Sequence, residues 1–228
     1  MQKKSEAFPK KIYLKPALEE RLAQILAVPL TVAAAPFGYG KTTAVKKVLL
    51  SLSVDMLWDT CYTGAEAAFW RCFVKSLQTA GVDTASLTWQ ELPRNAATRQ
   101  RVIEVLQASK LKKTVVFVWN NYHLLGSEDC DNLLLALAKA DLPNCHFVLL
   151  PLDWLVLKGE CLYLQPKDFA FEVSDIIVYY RKNGIVLERR AAENLLAATE
   201  GWVSALYLYL RQYHNGQSPQ TGEELLRL

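Results

Sequence analysis

Leu30-Thr-Val-Ala-Ala-Ala-Pro-Phe-Gly-Tyr-Gly-Lys-Thr-Thr43 is the stretch on which the fold turns. Leu30 to Ala35 is short and wholly apolar, which reads as a strand buried on both faces. A glycine-rich turn follows, and Thr42 to Leu52 resumes with helical spacing. A strand leading into the turn and a helix leading out are what a phosphate-binding loop requires. Ala35 to Thr42 fits that loop pattern with Ala35 in place of its usual first glycine. Gly38 and Gly40 let the backbone turn its N–H groups inward, where a Cβ would intrude on an anion. Lys41 is of a length to reach the β and γ phosphates, and the Thr42 hydroxyl can ligate Mg²⁺. The helix starting near Lys41 aims its positive end at the same anion. Ala35, Pro36, Phe37, Gly38, Tyr39, Gly40, Lys41, Thr42 and Thr43 are therefore the predicted contacts for ATP or ADP, with Thr42 the candidate metal ligand.

Outward from the loop, the chain alternates strands and helices. Upstream, Leu18, Leu22, Ile25 and Leu26 lie on one face of a helix over 14–26, with Pro16 in its first turn and Pro29 ending it. Downstream, Asp55–Trp58, Thr114–Trp119 and Cys145–Leu150 read as strands, with helices over 65–80, 96–109 and 129–140 between them. The segment 81–95 is mixed and reads as a surface loop. This alternation predicts an α/β fold, a P-loop NTPase-type parallel sheet flanked by helices. Beyond Pro166 the pattern turns helical, over 171–183 and 190–213. The expected organisation is a lead at 1–13, a nucleotide-binding domain at 14–165 and a helical region at 166–228. Glu-Glu-Leu-Leu-Arg-Leu228 has no helix stop signal, so the chain reads as cut from something longer.

Composition narrows the partners. A net charge of +3 and the absence of a long basic block give no electrostatic case for nucleic-acid contact by this segment. No apolar run reaches the eighteen or so residues that span a bilayer. The five cysteines are scattered without CxxC spacing, which favours reduced thiols and a cytoplasmic location over a metal site or disulfide framework.

Several segments together resemble the ATPase module of MalT/LuxR-type bacterial transcription regulators, a branch of the STAND NTPases. They are Pro29 to Thr43, Asn121-Tyr-His-Leu-Leu125, Asp168-Phe-Ala-Phe171 and Thr199-Glu-Gly-Trp-Val-Ser-Ala-Leu206. The resemblance runs from about Leu14 to Leu210. It implies a nucleotide switch in which ADP holds a closed monomer and ATP with an inducer favours an oligomer. It also implies sensor and DNA-binding domains lying outside these residues, and self-association as a property of the assembled protein.

The same resemblance exposes three departures. Where the family ends a strand in two acidic residues, this chain has Asn120 and Asn121. Those acids would hold the Mg²⁺ water shell and orient the attacking water. Asn accepts hydrogen bonds but brings no charge and takes no proton. Asn120 remains a nucleotide-site candidate; no residue is assigned as catalytic. After the strand at 145–150 the family's Ser-Arg becomes Pro151-Leu152, and its arginine-bearing N-terminal "RPRL" becomes Lys15-Pro-Ala-Leu18. A leucine cannot stabilise transferring phosphate charge. The expectation is nucleotide binding with slow or no hydrolysis and a weak dependence on Mg²⁺, with Glu128, Asp129 and Asp131 as nearby carboxylates that could compensate.

Two other functions compete. A competent P-loop ATPase or small-molecule kinase would need a catalytic acid that the paired asparagines do not supply. A pseudo-ATPase scaffold would hold nucleotide only structurally or not at all, and absence of binding in titration would favour it. The six tryptophans, Trp58, Trp70, Trp89, Trp119, Trp154 and Trp202, read as core. Tyr39 is divided evenly between packing and nucleotide contact. His123 reads as a structural hydrogen-bonding group ahead of a contact to phosphate or a neighbouring subunit, and His146 reads as structural.

Overall fold

The computed structural model describes residues 11–87, 91–153, 155, 157 and 161–214. The sequence readings at Trp89, Trp154, the first ten residues and the C-terminal stop fall outside them. Two compact units emerge: one is Glu19–Pro36 with Lys41–Gln165, the other gathers the described residues of 1–18, Phe37–Gly40 and those of 166–228.

In the first unit, β1 (Leu30–Ala33) leads to α2 (Lys41–Ser51), following α1 (Pro16–Ala23) at the start of the fold. Then come β2 (Asp55–Thr60), α3 (Glu66–Thr79), α4 (Ala96–Ser109), β3 (Val115–Asn120), α5 (Glu128–Lys139), β4 (Cys145–Leu150) and β5 (Leu162–Leu164). The strands form one sheet in the order β2-β3-β4-β1-β5 with every pairing parallel. Parallel neighbours demand crossovers, and from β1 to β4 the helices between strands supply them. All strand C-termini therefore share one edge, the edge at which open α/β sheets bind ligands. Leu30, Thr31 and Val32 are matched with Phe147, Val148 and Leu149, so β4 lies between β1 and β3.

The core follows from strand alternation. Phe117 and Trp119 point to one face of β3 and stack with Phe147 of β4, at centroid distances of 5.7 and 6.0 Å. Phe73 of α3 closes on Phe117 and Trp119 edge-to-face, 5.3 Å from each. Large rings such as these bury much apolar surface when they pack together. Helix starts are set locally: Asn95 and Thr98 form a reciprocal capping box, and the Ser127 hydroxyl accepts from the Cys130 amide. Glu128, Asp129 and Asp131 in the first turn of α5, with Lys139 in its last, match its dipole.

In the second unit, α6 (Pro166–Phe169), α7 (Val173–Lys182), α8 (Arg189–Thr199) and α9 (Val203–His214) enclose Phe171, Ile176, Tyr179, Tyr180, Leu195, Leu206 and Leu210. The Tyr13 hydroxyl donates to Asp175 at 2.8 Å, and its ring meets Phe171 edge-on. The single helix expected over 190–213 is two. Glu200 and Gly201 both take positive φ, 51° and 75°, and break it. Gly201 lies against Phe171, whose carbonyl oxygen would be 2.3 Å from an added Cβ. The sequence reading does not anticipate β5; three residues with two apolar positions carry too little pattern to stand out. Among the described residues no helix is long and apolar enough to cross a membrane.

Candidate functional site

β1 ends at Ala33 and α2 begins at Lys41, with seven residues between them; the predicted loop, Ala35 to Thr42, runs across that gap into the first turn of α2. Ala35 is buried, Pro36 and Phe37 are exposed, and Gly38, Tyr39 and Gly40 are intermediate. Gly38 and Gly40 take φ of 85° and 81°, the left-handed region that only glycine enters without cost. Among the described residues, no backbone acceptor takes the N–H groups of Gly38, Tyr39, Gly40, Lys41, Thr42 or Thr43. Those of Lys41 to Thr43 are the opening amides of α2, which an α-helix leaves unsatisfied. The loop thus offers a run of donors beside a helix N-terminus, the arrangement that suits an anion.

Lys41 is 6% exposed. Its Nζ donates to the Ala35 carbonyl and to the Pro36 carbonyl, the latter at 3.1 Å. The ammonium group therefore curls back over the first residues of its own loop. Burial pushes its pKa down to about 8, opposed by the nearby Asp153 carboxylate. Thr42 is half-buried in the first turn of α2 and Thr43 is exposed.

At the tip, a group that sequence reasoning placed elsewhere makes the principal contacts. Trp202, read as core, is 37% exposed, and its Nε1 donates to the Phe37 carbonyl at 2.9 Å. The Ser204 amide and hydroxyl both donate to the Gly38 carbonyl, at 3.0 and 3.1 Å. The signal was present in Glu200-Gly-Trp202, but a resemblance motif does not say what its tryptophan touches. Trp70 and Trp119 are core as expected, while Trp58 is half-buried beneath the Lys46 ammonium at 4.6 Å.

Asn120 closes β3 at the C-terminal edge of the sheet, and its carbonyl accepts from Cys61 at 2.8 Å. Asn121 takes φ of 56° and donates its amide to the Leu150 carbonyl, tying the ends of β3 and β4 together. Asparagine tolerates that left-handed geometry better than most residues. His123 accepts from the Leu152 amide through Nδ1 at 3.2 Å, so the ring is a structural link, as expected. His146 is bound to the Val28 carbonyl at 2.8 Å.

The carboxylates that could compensate for the asparagines are committed elsewhere or lie open to solvent. Asp129 is paired with Arg94 and Arg99, Asp131 accepts from the Tyr122 hydroxyl at 2.7 Å, and Glu128 is exposed. Lys15 is buried and donates to the Ala170 carbonyl at 2.9 Å. All five cysteines are free thiols, with Cys61 and Cys145 pushed up to about 12 by burial. Among the described residues no cluster of His, Cys, Asp or Glu could hold a metal ion. A divalent cation at this loop would have the Thr42 hydroxyl and the oxygens of a bound phosphate as its ligands.

No known family's sequence profile matches the chain, and no curated protein does. Solved structures do match in shape. A STAND (Signal Transduction ATPase with Numerous Domains) protein with a tetratricopeptide repeat sensor from Pyrococcus horikoshii superposes with a TM-score of 0.66 at 15% identity. That match covers 92% of this chain and 31% of the other, so this chain spans about a third of its length. A Walker-type ATPase of Pyrococcus abyssi gives 0.54 at 12% identity, covering 90% of this chain and 69% of that one. A chain of Drosophila ORC bound to DNA gives 0.51 at 13% identity, over 86% and 59%. At such identities the likeness speaks for the fold alone: a five-stranded parallel sheet of the P-loop ATPase type, flanked by helices.

Proposed function

We propose that this chain is an ATP- or ADP-binding switch module that hydrolyses its nucleotide slowly or not at all. The observation that carries the reading is the strand–loop–helix at 33–43, with two left-handed glycines and a row of amides without backbone acceptors at the start of α2. Lys41, Thr42 and the amides of Gly38 to Thr43 are the proposed phosphate contacts, and Asn120 a polar group on the sheet edge. Magnesium, if used, is held by Thr42 and the phosphates, and it supplies charge neutralisation there. With asparagine at 120 and 121 and leucine at 152, no charged side chain takes the water-activating or phosphate-sensing roles at those positions.

The resemblance to MalT/LuxR-type regulators extends this to a module of a transcription regulator, with self-association and with sensor and DNA-binding domains beyond this segment. The tetratricopeptide sensor named for the Pyrococcus horikoshii protein accords with that wider architecture. Calorimetry with ATP and ADP, with and without Mg²⁺, on this chain and on Lys41→Ala tests the reading. Binding removed by Lys41→Ala, with little added by Mg²⁺, is the expected result. No binding of either nucleotide would replace the switch with a scaffold, and turnover at an ordinary ATPase rate, abolished by Lys41→Ala, would replace it with an enzyme.

A further inference from the structure

Two consecutive carbonyls at the loop tip are gripped within the helical unit. Phe37 O takes the Trp202 indole N–H at 2.9 Å, and Gly38 O takes the Ser204 amide at 3.0 Å and its hydroxyl at 3.1 Å. The Ser204 amide belongs to the first turn of α9, whose opening N–H groups have no partner within the helix. The grip is itself held firmly. The Trp202 amide donates to Thr199 O at 2.8 Å, and the Phe171 amide donates to Gly201 O at 3.0 Å. The approach is close enough to exclude any side chain at Gly38, where a Cβ would lie 2.4 Å from Trp202 Nε1 and 2.6 Å from Ser204 Oγ.

A trans peptide points its C=O and the next residue's N–H in opposite directions. Drawing Phe37 O and Gly38 O toward Trp202 and Ser204 therefore turns the amides of Gly38 and Tyr39 together to the opposite side. A loop rich in glycine would otherwise sample many orientations, and ordering it on binding would cost affinity.

We propose that Trp202 and Ser204 are positioning residues for anion recognition. They fix two successive peptide planes, so that the Gly38 and Tyr39 amides are already presented to phosphate oxygens before a nucleotide arrives. This rests on the nucleotide reading above and adds to it the groups that set the loop's geometry. A change in the Glu200-Gly-Trp202 turn would then be felt as a change in nucleotide affinity.

The test uses Trp202→Phe, which keeps a ring and removes the indole donor, and Ser204→Ala, which keeps the amide and removes the hydroxyl. Affinities for ATP and ADP are measured by calorimetry, amide hydrogen exchange at Gly38 and Tyr39 without nucleotide, and melting without nucleotide. The expected result for Trp202→Phe is about tenfold weaker binding of both nucleotides, the equivalent of one hydrogen bond, with faster exchange at the two amides and unchanged melting. Ser204→Ala should act in the same direction and less, because its amide remains. Unchanged or tighter binding with unchanged exchange in Trp202→Phe overturns this proposal while wild-type binding upholds the nucleotide reading. A wild-type chain that binds neither nucleotide overturns both.

Discussion

The loop after β1 and the ends of β3 and β4 share one edge of the sheet, yet they have fared differently. The loop has the residue types an anion needs: glycine where φ is positive, lysine at the helix start and a hydroxyl one residue on. The other strand ends have amide or apolar side chains at 120, 121 and 152, and their backbone groups are bonded to Cys61, Leu150 and His123. On the proposed reading, recognition and hydrolysis draw on separate residues, and the second set can be lost while the first remains intact. A site so divided suits a protein whose output depends on which nucleotide is bound, since slow turnover prolongs the bound state.

The loop glycines carry the largest expected effect. A Cβ added at Gly40 would meet no heavy atom within 4 Å, whereas one at Gly38 would meet Trp202 and Ser204 at under 3 Å. Gly38→Ala is expected to lower the melting temperature without nucleotide and to reduce nucleotide affinity by about a hundredfold or more, roughly 2.7 kcal/mol. Gly40→Ala should cost the nucleotide-free protein only the strain of a left-handed alanine, about 1 kcal/mol. Thermal melting and calorimetry on both variants decide it, and equal loss of stability in the two would break the assignment of Gly38 to a close approach.

A smaller effect tests the opposite side. Asn120→Asp places a carboxylate at the end of β3, and the Mg²⁺-dependent part of ATP affinity should then rise about tenfold, a shift of roughly 1.4 kcal/mol. Calorimetry at fixed ATP and varied Mg²⁺ measures it. No change would mean that the end of β3 does not face the metal.

The smallest effect concerns protons. Lys41 carries a pKa lowered to about 8 by burial, and a phosphate beside it would raise that value again. Binding should therefore take up a proton above about pH 8, and affinity should fall severalfold between pH 8 and pH 9. Calorimetry in buffers of different ionisation enthalpy reads the uptake directly. Proton release, or no exchange at pH 8.5, would show that the ammonium group does not reach the anion.

Much of this was legible in the sequence, for physical reasons. Thr114 to Trp119 and Cys145 to Leu150 announce strands because a parallel sheet buried on both faces admits only apolar runs. The loop is legible because its chemistry restricts each position to one or two residue types. The break between α8 and α9 was hidden by apolar residues that continue at helical spacing across Glu200 and Gly201, although a glycine there is an ordinary helix stop. Trp202 was hidden for another reason. Its ring fits a core composition, and only three-dimensional placement reveals that its N–H reaches Phe37 across 165 positions of sequence. The partners of Lys41 were equally invisible, since the carbonyls of Ala35 and Pro36 carry no residue-specific signal.

On the proposed nucleotide reading, those carbonyls have a kinetic consequence. A lysine already bonded to two oxygens of its own loop cannot simply add a phosphate; it must let go before it can take hold. Capture of the nucleotide is then an exchange of partners, in which the new bonds count only by the amount they exceed the old. The reverse holds as well. When the nucleotide departs, the carbonyls of Ala35 and Pro36 are waiting for the ammonium group, so release leaves no stranded charge in a buried place. A module built this way would trade some tightness for the ability to change occupants.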